Sequence, residues 1–345
     1  MNNIIIFPIY FFLFYLLNFF FKKNNFLLDK SNFSTHKKYV SKNEVPITGG
    51  ILFYSLILFF FQEFDIIDKI FLLLILIIGL LSDTNILRSP FKRIALQIFV
   101  IISYVYTQEI FILDTRFDLL DNFLENSIFL KVIFSSFCLI TLVNGTNFID
   151  GTNFLAGGYI LTAFLGLMFF LINVESTYKD NNFQIIAYFL IVFLIFNIFS
   201  LSYLGDGGAY LISIVLGIVC IKFSSIFLNL MSPFFIVLLL WYPALENLFS
   251  IIRRGFFENK NVNSADNFHL HHLIFKLIKN QIKKNQIASS LTGIFINTVI
   301  LIFIFFGIYF ANDTKVLIFL IILKTITYFF SYIYLKKTFN KKIYK

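Results

Sequence analysis

The chain has 345 residues, of which 59% are hydrophobic and only 14% are charged, and its formal net charge is +9. A soluble protein of this length carries more charge and cannot bury so much apolar surface, so the composition excludes a soluble globular domain. The basic residues lie in loops between apolar segments. There they indicate membrane topology and contact with anionic lipid, and we expect no nucleic-acid partner.

The apolar segments are close to 20 residues long, the length at which an α-helix crosses a bilayer. We predict an all-α integral membrane protein, a polytopic bundle of about eleven transmembrane helices. The predicted spans are residues 4–21, 47–62, 66–82, 92–107, 128–143, 154–173, 184–201, 208–225, 229–249, 287–309 and 315–335. The first has no basic residue before it and no small-residue cleavage site after it, so we expect a retained helix and not a signal peptide. Cys138 and Cys220 lie inside spans, and we expect buried free thiols without a disulfide or a zinc site.

The loops between these spans alternate in charge. The first, third and longest later loops are basic, as is the C-terminal tail, whereas the fourth loop is acidic. Because cytoplasmic loops of membrane proteins carry the excess of Lys and Arg, we expect the basic loops and the C-terminus in the cytoplasm and the N-terminus outside. Residues 1–345 then form one membrane domain in the inner (plasma) membrane.

Polar clusters fall on this predicted cytoplasmic face. They lie in the loops 22–46, 82–92, 144–153, 202–208 and 250–286. Each cluster alone has an ordinary interpretation as a turn or a helix cap. However, polar and ionisable residues where helices meet a membrane surface are costly unless they are used. Their concentration on one face therefore indicates an active site.

The residue types in these clusters point to phosphoryl transfer. Asp83, Asp150 and Asp206 offer hard oxygen ligands with little nearby charge to neutralise them, which suits Mg²⁺. The glycines beside Asp206 let backbone N–H groups approach an anion closely. Asn144 and Asn147 offer both donors and acceptors. The side chains that can donate hydrogen bonds to phosphate oxygens are Arg253, Arg254, His269, His271 and His272.

Five motifs in this order resemble a known family. They are Pro46-x-x-Gly49-Gly50, Gly79-Leu80-Leu81-Ser82-Asp83 followed by Arg93 and Gln97, Asn144-x-x-Asn147-x-x-Asp150-Gly151, Leu204-Gly205-Asp206-x-Gly208 and Asp266-x-x-His269-x-His271-His272. The chain resembles the polyprenyl-phosphate N-acetylhexosamine-1-phosphate transferases, and is most similar to their bacterial WecA-like branch. These enzymes move a sugar-1-phosphate from a UDP-sugar onto a lipid phosphate and release UMP.

The resemblance implies a cofactor and substrates. Mg²⁺, with Mn²⁺ as a substitute, is held by Asp206 and Asn147, and Asp83 positions the lipid phosphate or serves as a base. The implied partners are a UDP-N-acetylhexosamine, undecaprenyl phosphate, the lipid bilayer and a second copy of the chain in a homodimer. The implied pathway is assembly of a cell-envelope glycan such as the O-antigen of lipopolysaccharide.

The resemblance also assigns the remaining site residues. Asp150 and Asn144 line the nucleotide pocket, and Asn153 and Gly205 belong to the same binding set. The residues expected to grip the diphosphate are His269, His271, His272 and either Arg253 or Arg254.

The chain departs from the family pattern at a few positions. Ser82 stands where the family usually has the first of two adjacent Asp residues, and Asn153 stands where it usually has Asp. Phe154 replaces a usual Gly, and Ala209 replaces a common Ser. Two alternatives stay open: a degenerate member that binds nucleotide-sugar or lipid without turnover, and a transporter, for which Glu246 within a span is the best residue.

Overall fold

The structure is a computed structural model that describes residues 6–29, 44–175, 181–257 and 269–343. These residues form thirteen α-helices and one short antiparallel sheet. The helices are α1 Ile6–Lys23, α2 Gly49–Phe60, α3 Ile66–Asp83, α4 Pro90–Thr107, α5 Asp118–Glu125, α6 Ile128–Ile149, α7 Leu155–Asn173, α8 Asn181–Ile198, α9 Gly205–Ile226, α10 Pro233–Ile252, α11 Leu270–Gln281, α12 Asn285–Tyr309 and α13 Thr314–Ile343. The strands are β1 Leu28–Asp29 and β2 Val45–Pro46, and a π-helical turn, Arg253–Phe257, continues α10.

Apolar helices dominate the fold, as the composition predicts. Six of them are long and apolar enough to cross a membrane by length and composition, namely α6, α7, α9, α10, α12 and α13. Large apolar side chains cover outward helix faces, where Phe59 is 75% exposed and Phe99 is 72% exposed. Such surfaces indicate a membrane protein, because water would disfavour them. Each predicted span overlaps one helix, whereas the number of helices that cross and their orientation stay predictions.

Helix α9 forms the centre of the bundle, and its first turn carries Asp206. It packs against α2, α3, α6 and α7, and its apolar side chains are almost all buried. The segment before α9 is tied to the start of α2, because Ile47 and Tyr203 form a parallel β-bridge. The β1–β2 ladder, with Leu28 opposite Pro46, places Asp29 next to this segment. The fold therefore gathers the ends of several helices around the start of α9.

Pro243 interrupts the hydrogen-bond ladder within α10. Proline has no N–H, so the carbonyl group of Leu239 one turn earlier loses its helical donor. The buried hydroxyl of Tyr159 donates to that carbonyl at 2.7 Å. Lys324 of α13 donates to the neighbouring carbonyl of Leu238 at 3.0 Å. The break in α10 is thus stabilised by polar side chains from α7 and α13.

Several predicted boundaries are wrong. Helix α6 continues to Ile149, six residues past the predicted end at 143, so the first half of the predicted loop 144–153 is helical. Asn144 and Asn147 extend the helix because α4 and α9 supply partners for their side chains. Helix α9 begins at Gly205 inside the predicted loop 202–208, and α11 lies within the predicted loop 250–286. Helix α5 was not predicted either. Both α5 and α11 are short and too polar to be recognised as apolar segments.

The cysteine prediction is right in chemistry and partly wrong in burial. Both Cys138 and Cys220 are free thiols. Cys220 is buried in α9 as expected, whereas Cys138 of α6 is only half-buried.

Candidate active site

Glycine contacts set the spacing of the helices that carry the site. A Cβ atom built on Gly79 of α3 would collide with the backbone of Gly207, and one on Gly50 of α2 would lie 2.6 Å from the backbone nitrogen of Gly208. Real Cβ atoms do not approach backbone so closely, so α2 and α3 reach α9 only because these positions lack side chains. The glycines of the first two motifs therefore serve to bring Asp83 and Asp206 together.

Asp83, the last residue of α3, caps the start of α9. Its Oδ1 accepts the backbone N–H of Asp206 at 2.9 Å, and its Oδ2 accepts that of Gly207 at 3.0 Å. A carboxylate is favoured there because the first N–H groups of a helix lack partners and carry partial positive charge. Gly205 precedes them with a φ of +70°, and a Cβ on it would lie 2.7 Å from Asp83 Oδ2. The N–H groups of Asp206 and Gly207 thus bind a carboxylate of the chain itself, whereas their expected approach to a substrate anion stays a prediction.

Ser82 and Arg93 both contact the side chain of Asp206. The Ser82 hydroxyl donates to Asp206 Oδ2 at 2.5 Å, and Arg93 Nη1 donates to the same oxygen at 2.9 Å. Arg93 Nη1 also donates to Ser82 Oγ at 2.5 Å. Ser82, Arg93 and Asp206 thus contact one another pairwise, and we call this cluster the Asp206 triangle. About a fifth of each charged side chain is exposed, so the ion pair is partly shielded from water. Ser82 therefore holds Asp206 in place, since a hydroxyl that donates to a carboxylate does not act as a base.

The amide side chains of α6 connect this triangle to α4. Asn144 Nδ2 donates to Gln97 Oε1 at 3.0 Å and to the carbonyl of Ile140 at 2.9 Å. One turn later, Asn147 Nδ2 donates to the hydroxyl of Tyr210 at 3.4 Å. Tyr210 follows Asp206 by one turn of α9, on the same helix face. Asn144 and Asn147 thus reach the site from a helix and not from the predicted turn.

Glu246 organises the histidine motif from within α10. Its Oε2 accepts from His269 Nδ1 at 3.0 Å, and its Oε1 accepts the N–H of Leu270 at 3.2 Å and the hydroxyl of Tyr242 at 3.4 Å. Glu246 is 1% exposed, so these contacts are shielded from water. A carboxylate can only accept, and His269 therefore carries its proton on Nδ1 and presents the lone pair of Nε2 to Arg254 Nη2 at 3.5 Å.

The two later histidines face the loop that follows α6. A Cβ on Gly151 would collide with His271 and would lie 3.2 Å from His272 Nε2, so only glycine lets this loop come so close. His271 and His272 are fully or almost fully buried, with ring centroids 4.2 Å apart. The histidine pair and the Asp150–Gly151 corner are thus neighbours.

Arg254, one of the two candidate arginines, contacts the histidine motif. Its guanidinium lies 5.9 Å from the centre of the Phe148 ring, on the last turn of α6, and the same ring lies 5.7 Å from that of His269. The guanidinium of Arg253 instead lies over Phe249 of α10, at 5.9 Å. Both arginines are almost fully buried. Asp266 of the same motif lies outside the described residues.

A cleft beside the triangle joins the remaining predicted residues. It is partly open to solvent and is lined by Asp29, Asp150, Gly151, Thr152, Asn153, Asn197, Tyr203 and Gly205. Asn153 is 2% exposed, and its side chain donates to Ser200 Oγ at 2.8 Å, so it fixes the wall of the cleft to the end of α8. The site thus has three neighbouring parts: the Asp206 triangle, the cleft and the histidine motif.

Sequence reasoning missed two residues of this arrangement. Glu246 was considered only for a transporter, although an ionisable residue inside an apolar segment, just after Pro243, is itself a signal of function. Tyr210 carried a weaker signal, because it lies four residues after Asp206 and therefore on the same face of a helix. The partner of Glu246, His269, and the partner of Tyr210, Asn147, could not be identified from the sequence, because each lies far along the chain from the residue that it contacts.

The fold and the site define a membrane protein with a polar, partly buried site at one end of an apolar helical bundle. Residues 68–224, somewhat less than half of the chain, match the model of glycosyl transferase family 4. The matched part runs from the first turn of α3 to the end of α9, and it includes the triangle, the amides of α6 and Asp150. The histidine motif lies beyond it. No curated protein matches the chain.

Proposed function

We propose that this protein transfers a sugar-1-phosphate, of the N-acetylhexosamine class, from a UDP-sugar to a polyprenyl phosphate and releases UMP. The observation that carries the proposal is the convergence of Asp83, Arg93 and Asp206 at the start of α9, beside a polar cleft and a buried histidine motif. The similarity of residues 68–224 to glycosyl transferase family 4 supports the class of reaction. In the proposed pathway this transfer is the first membrane step of cell-envelope glycan assembly.

The donor set at Asp206 fits magnesium. Among the described residues, neither Asp206 Oδ1 nor Asn147 Oδ1 takes part in a hydrogen bond, and both are hard oxygen ligands. The described residues contain no group of three or more His, Cys, Asp or Glu side chains that could hold a metal ion. Such a sparse set suits Mg²⁺, which keeps several waters and binds through one or two carboxylates together with substrate phosphates. When bound, Mg²⁺ supplies positive charge against the charge that develops on the departing UMP.

The chain's own residues then divide the work of binding. The cleft at Asp150 takes the nucleoside part of the donor, and His271, His272 and Arg254 hold the diphosphate by charge-assisted hydrogen bonds. Asp83 positions Asp206 through the first turn of α9, because its two oxygens already accept backbone N–H groups. Arg93 supplies positive charge at the acceptor side of Asp206. Correct placement of the two phosphates contributes about 7–11 kcal/mol in the ideal limit.

The acceptor phosphate attacks the β-phosphorus directly. A phosphate monoester has a second pKa near ~6, so at neutral pH it is mostly a dianion and already a competent nucleophile. Ser82 stands where the resembled family has a possible base, and its hydroxyl donates to Asp206. The proposed reaction therefore needs no proton acceptor at this position.

One observation favours a second function, the binding of nucleotide-sugar without turnover. Arg93 and Ser82 both contact one oxygen of Asp206, and Arg93 neutralises the carboxylate that the metal requires. The transporter alternative loses its best residue, because the partners of Glu246 belong to the histidine motif.

A release assay separates these functions. Purified protein in lipid nanodiscs receives Mg²⁺, undecaprenyl phosphate and one UDP-sugar at a time, and UMP and the lipid product are measured by mass. We expect UMP and a lipid diphospho-sugar with a UDP-N-acetylhexosamine, and none with Asp206→Asn. The control Asp68→Asn makes the same change at a buried carboxylate of α3, about 22 Å along the helix from Asp83, and should keep the rate. Donor binding without UMP would support the second function, and normal turnover by Asp206→Asn would refute the metal assignment.

We further propose that the site faces the cytoplasm, which the basic loops support. Cysteine placed at Asp83, Asp150 or Asp206 should react with an impermeant maleimide from the cytoplasmic side only, once Cys138 and Cys220 have been replaced. Labelling of these positions from the outside would refute this orientation.

A further inference from the structure

Tyr210 is a buried hydroxyl that the proposed reaction does not yet use. It lies on α9, one turn after Asp206, and is 2% exposed. Its phenol oxygen accepts a hydrogen bond from Asn147 Nδ2 at 3.4 Å. The hydroxyl therefore contacts one of the two side chains proposed to hold the metal, and Tyr210 lies one helical turn from the other.

The neighbouring amides fix which way Gln97 faces. Asn144 Nδ2 has two acceptors, the carbonyl of Ile140 and Gln97 Oε1, so the Gln97 oxygen points toward Asn144. The Nε2 group of Gln97 consequently points the other way. Gln97 is fully buried, and its Nε2 has no hydrogen-bond partner among the described residues. This side of Gln97 lies beside the hydroxyl of Tyr210.

The oxygen of Tyr210 is thus faced by two N–H donors, on Asn147 and Gln97. A phenol hydroxyl surrounded by donors uses its lone pairs for them, and its own proton must find an acceptor elsewhere. None of the hydrogen bonds between described residues takes that proton. Buried polar hydrogens are rarely left unpaired, so this one calls for an acceptor from outside the chain, such as a water, an ion or a ligand.

We infer that the Tyr210 hydroxyl donates a hydrogen bond to an anionic phosphate oxygen of a substrate, with its own oxygen held by Asn147 and faced by the amide of Gln97. This inference rests on the proposed function. The acceptor chemistry is a phosphate oxygen, which both the UDP-sugar and the polyprenyl phosphate carry. Tyr210 thereby becomes a substrate-contacting residue one helical turn below Asp206.

The test is Tyr210→Phe, which removes the hydroxyl and keeps the ring. We expect the binding of one substrate to weaken and its kcat/KM to fall about tenfold to a hundredfold, since each factor of ten corresponds to about 1.4 kcal/mol. Binding of UDP and of undecaprenyl phosphate is measured separately, without turnover, and KM is measured for each substrate in turn. The substrate whose binding and KM change is the one whose phosphate meets Tyr210.

The matched control is Tyr104→Phe. Tyr104 is also 2% exposed, and its hydroxyl donates to Asp68 at 2.8 Å on the far side of α3 and α4. That variant loses a buried hydroxyl of the same kind, and we expect its binding and KM to equal those of the wild type.

The outcomes separate the inference from the proposed function. Unchanged binding and KM for both substrates in Tyr210→Phe would overturn the inference, whereas a wild type that releases no UMP would overturn the function and leave the binding comparison valid. If Tyr210→Phe fails to fold, Gln97→Met removes the amide that faces the hydroxyl and should shift the same KM in the same direction. Wild-type behaviour of Gln97→Met in that case would also overturn the inference.

Discussion

Replacing Glu246 by glutamine removes one hydrogen bond and reverses a second. The glutamine oxygen can still accept from Leu270 and Tyr242, but an amide NH₂ group now stands where Oε2 accepted from His269 Nδ1. Two donors then face each other unless the amide flips or the histidine moves its proton to Nε2. A flip sets the NH₂ group against the N–H of Leu270, and a protonated Nε2 can no longer accept from Arg254. The variant therefore disturbs the diphosphate grip without changing the size of any side chain.

The size of the effect follows from these contacts. A hydrogen bond to a charged group contributes about 1.5–3 kcal/mol, and the burial of Glu246 and His269 places this one toward the upper end. If half or more of that free energy serves to hold the histidine motif for the reaction, kcat/KM falls about tenfold to a hundredfold. The free energy of unfolding falls by about 1–3 kcal/mol.

The assay is UMP release at varied UDP-sugar concentration, together with thermal unfolding in the same nanodiscs. Asp68→Asn is the matched control, because Asp68 is a buried carboxylate that accepts from a tyrosine hydroxyl and a backbone N–H, away from the site. It should lower the unfolding temperature and leave kcat/KM of the folded protein unchanged. A Glu246→Gln enzyme with wild-type kcat/KM would refute the assigned role of Glu246.

Three further predictions concern the Asp206 triangle. Ser82→Asp should keep activity within about tenfold, because Arg93 can pair with both carboxylates; complete loss of UMP release would show that this corner depends on the hydroxyl. Asp83→Asn should lower the rate at least tenfold and lower the stability by about 1–3 kcal/mol, since an amide NH₂ would face a backbone N–H of α9; full rate and an unchanged unfolding temperature would leave Asp83 as a turn residue only. Removal of divalent cations by EDTA should abolish UMP release and added Mg²⁺ should restore it, and turnover that persists in EDTA would contradict the metal assignment.

Eleven of the thirteen described helices could be predicted from the sequence, because each is an apolar stretch and hydropathy reports burial in lipid or in protein, whereas the polar helices α5 and α11 could not. The ends of the helices could not be predicted in the same way. Asn144 and Asn147 look like loop residues in a hydropathy profile, yet the helix continues because their amides find partners on α4 and α9. A sequence pattern reports polarity, and it does not report whether a polar side chain will be paired.

The same distinction applies to the candidate site: most of its residues could be predicted from the sequence, but the contacts between them could not. Loop charges and motif order suffice to place Asp83, Asp206 and the histidines on one face. The contacts that define their chemistry join residues far apart along the chain, as Ser82 joins Asp206 and as Glu246 joins His269. Such pairs leave no periodic signal in a single sequence, so the Asp83 cap could not be distinguished from a general base.

The glycine contacts among α2, α3 and α9 have a consequence for how substrate preference can change. Beneath Asp206, α2 and α3 pack backbone against backbone on α9, and any side chain added at Gly50 or Gly79 would force the helices apart. Substitution of these glycines would therefore disrupt the helix packing and could not reshape the site gradually. Under the proposed function, changes in donor sugar must therefore arise in the walls of the cleft, where Asp150, Thr152 and Asn153 carry side chains.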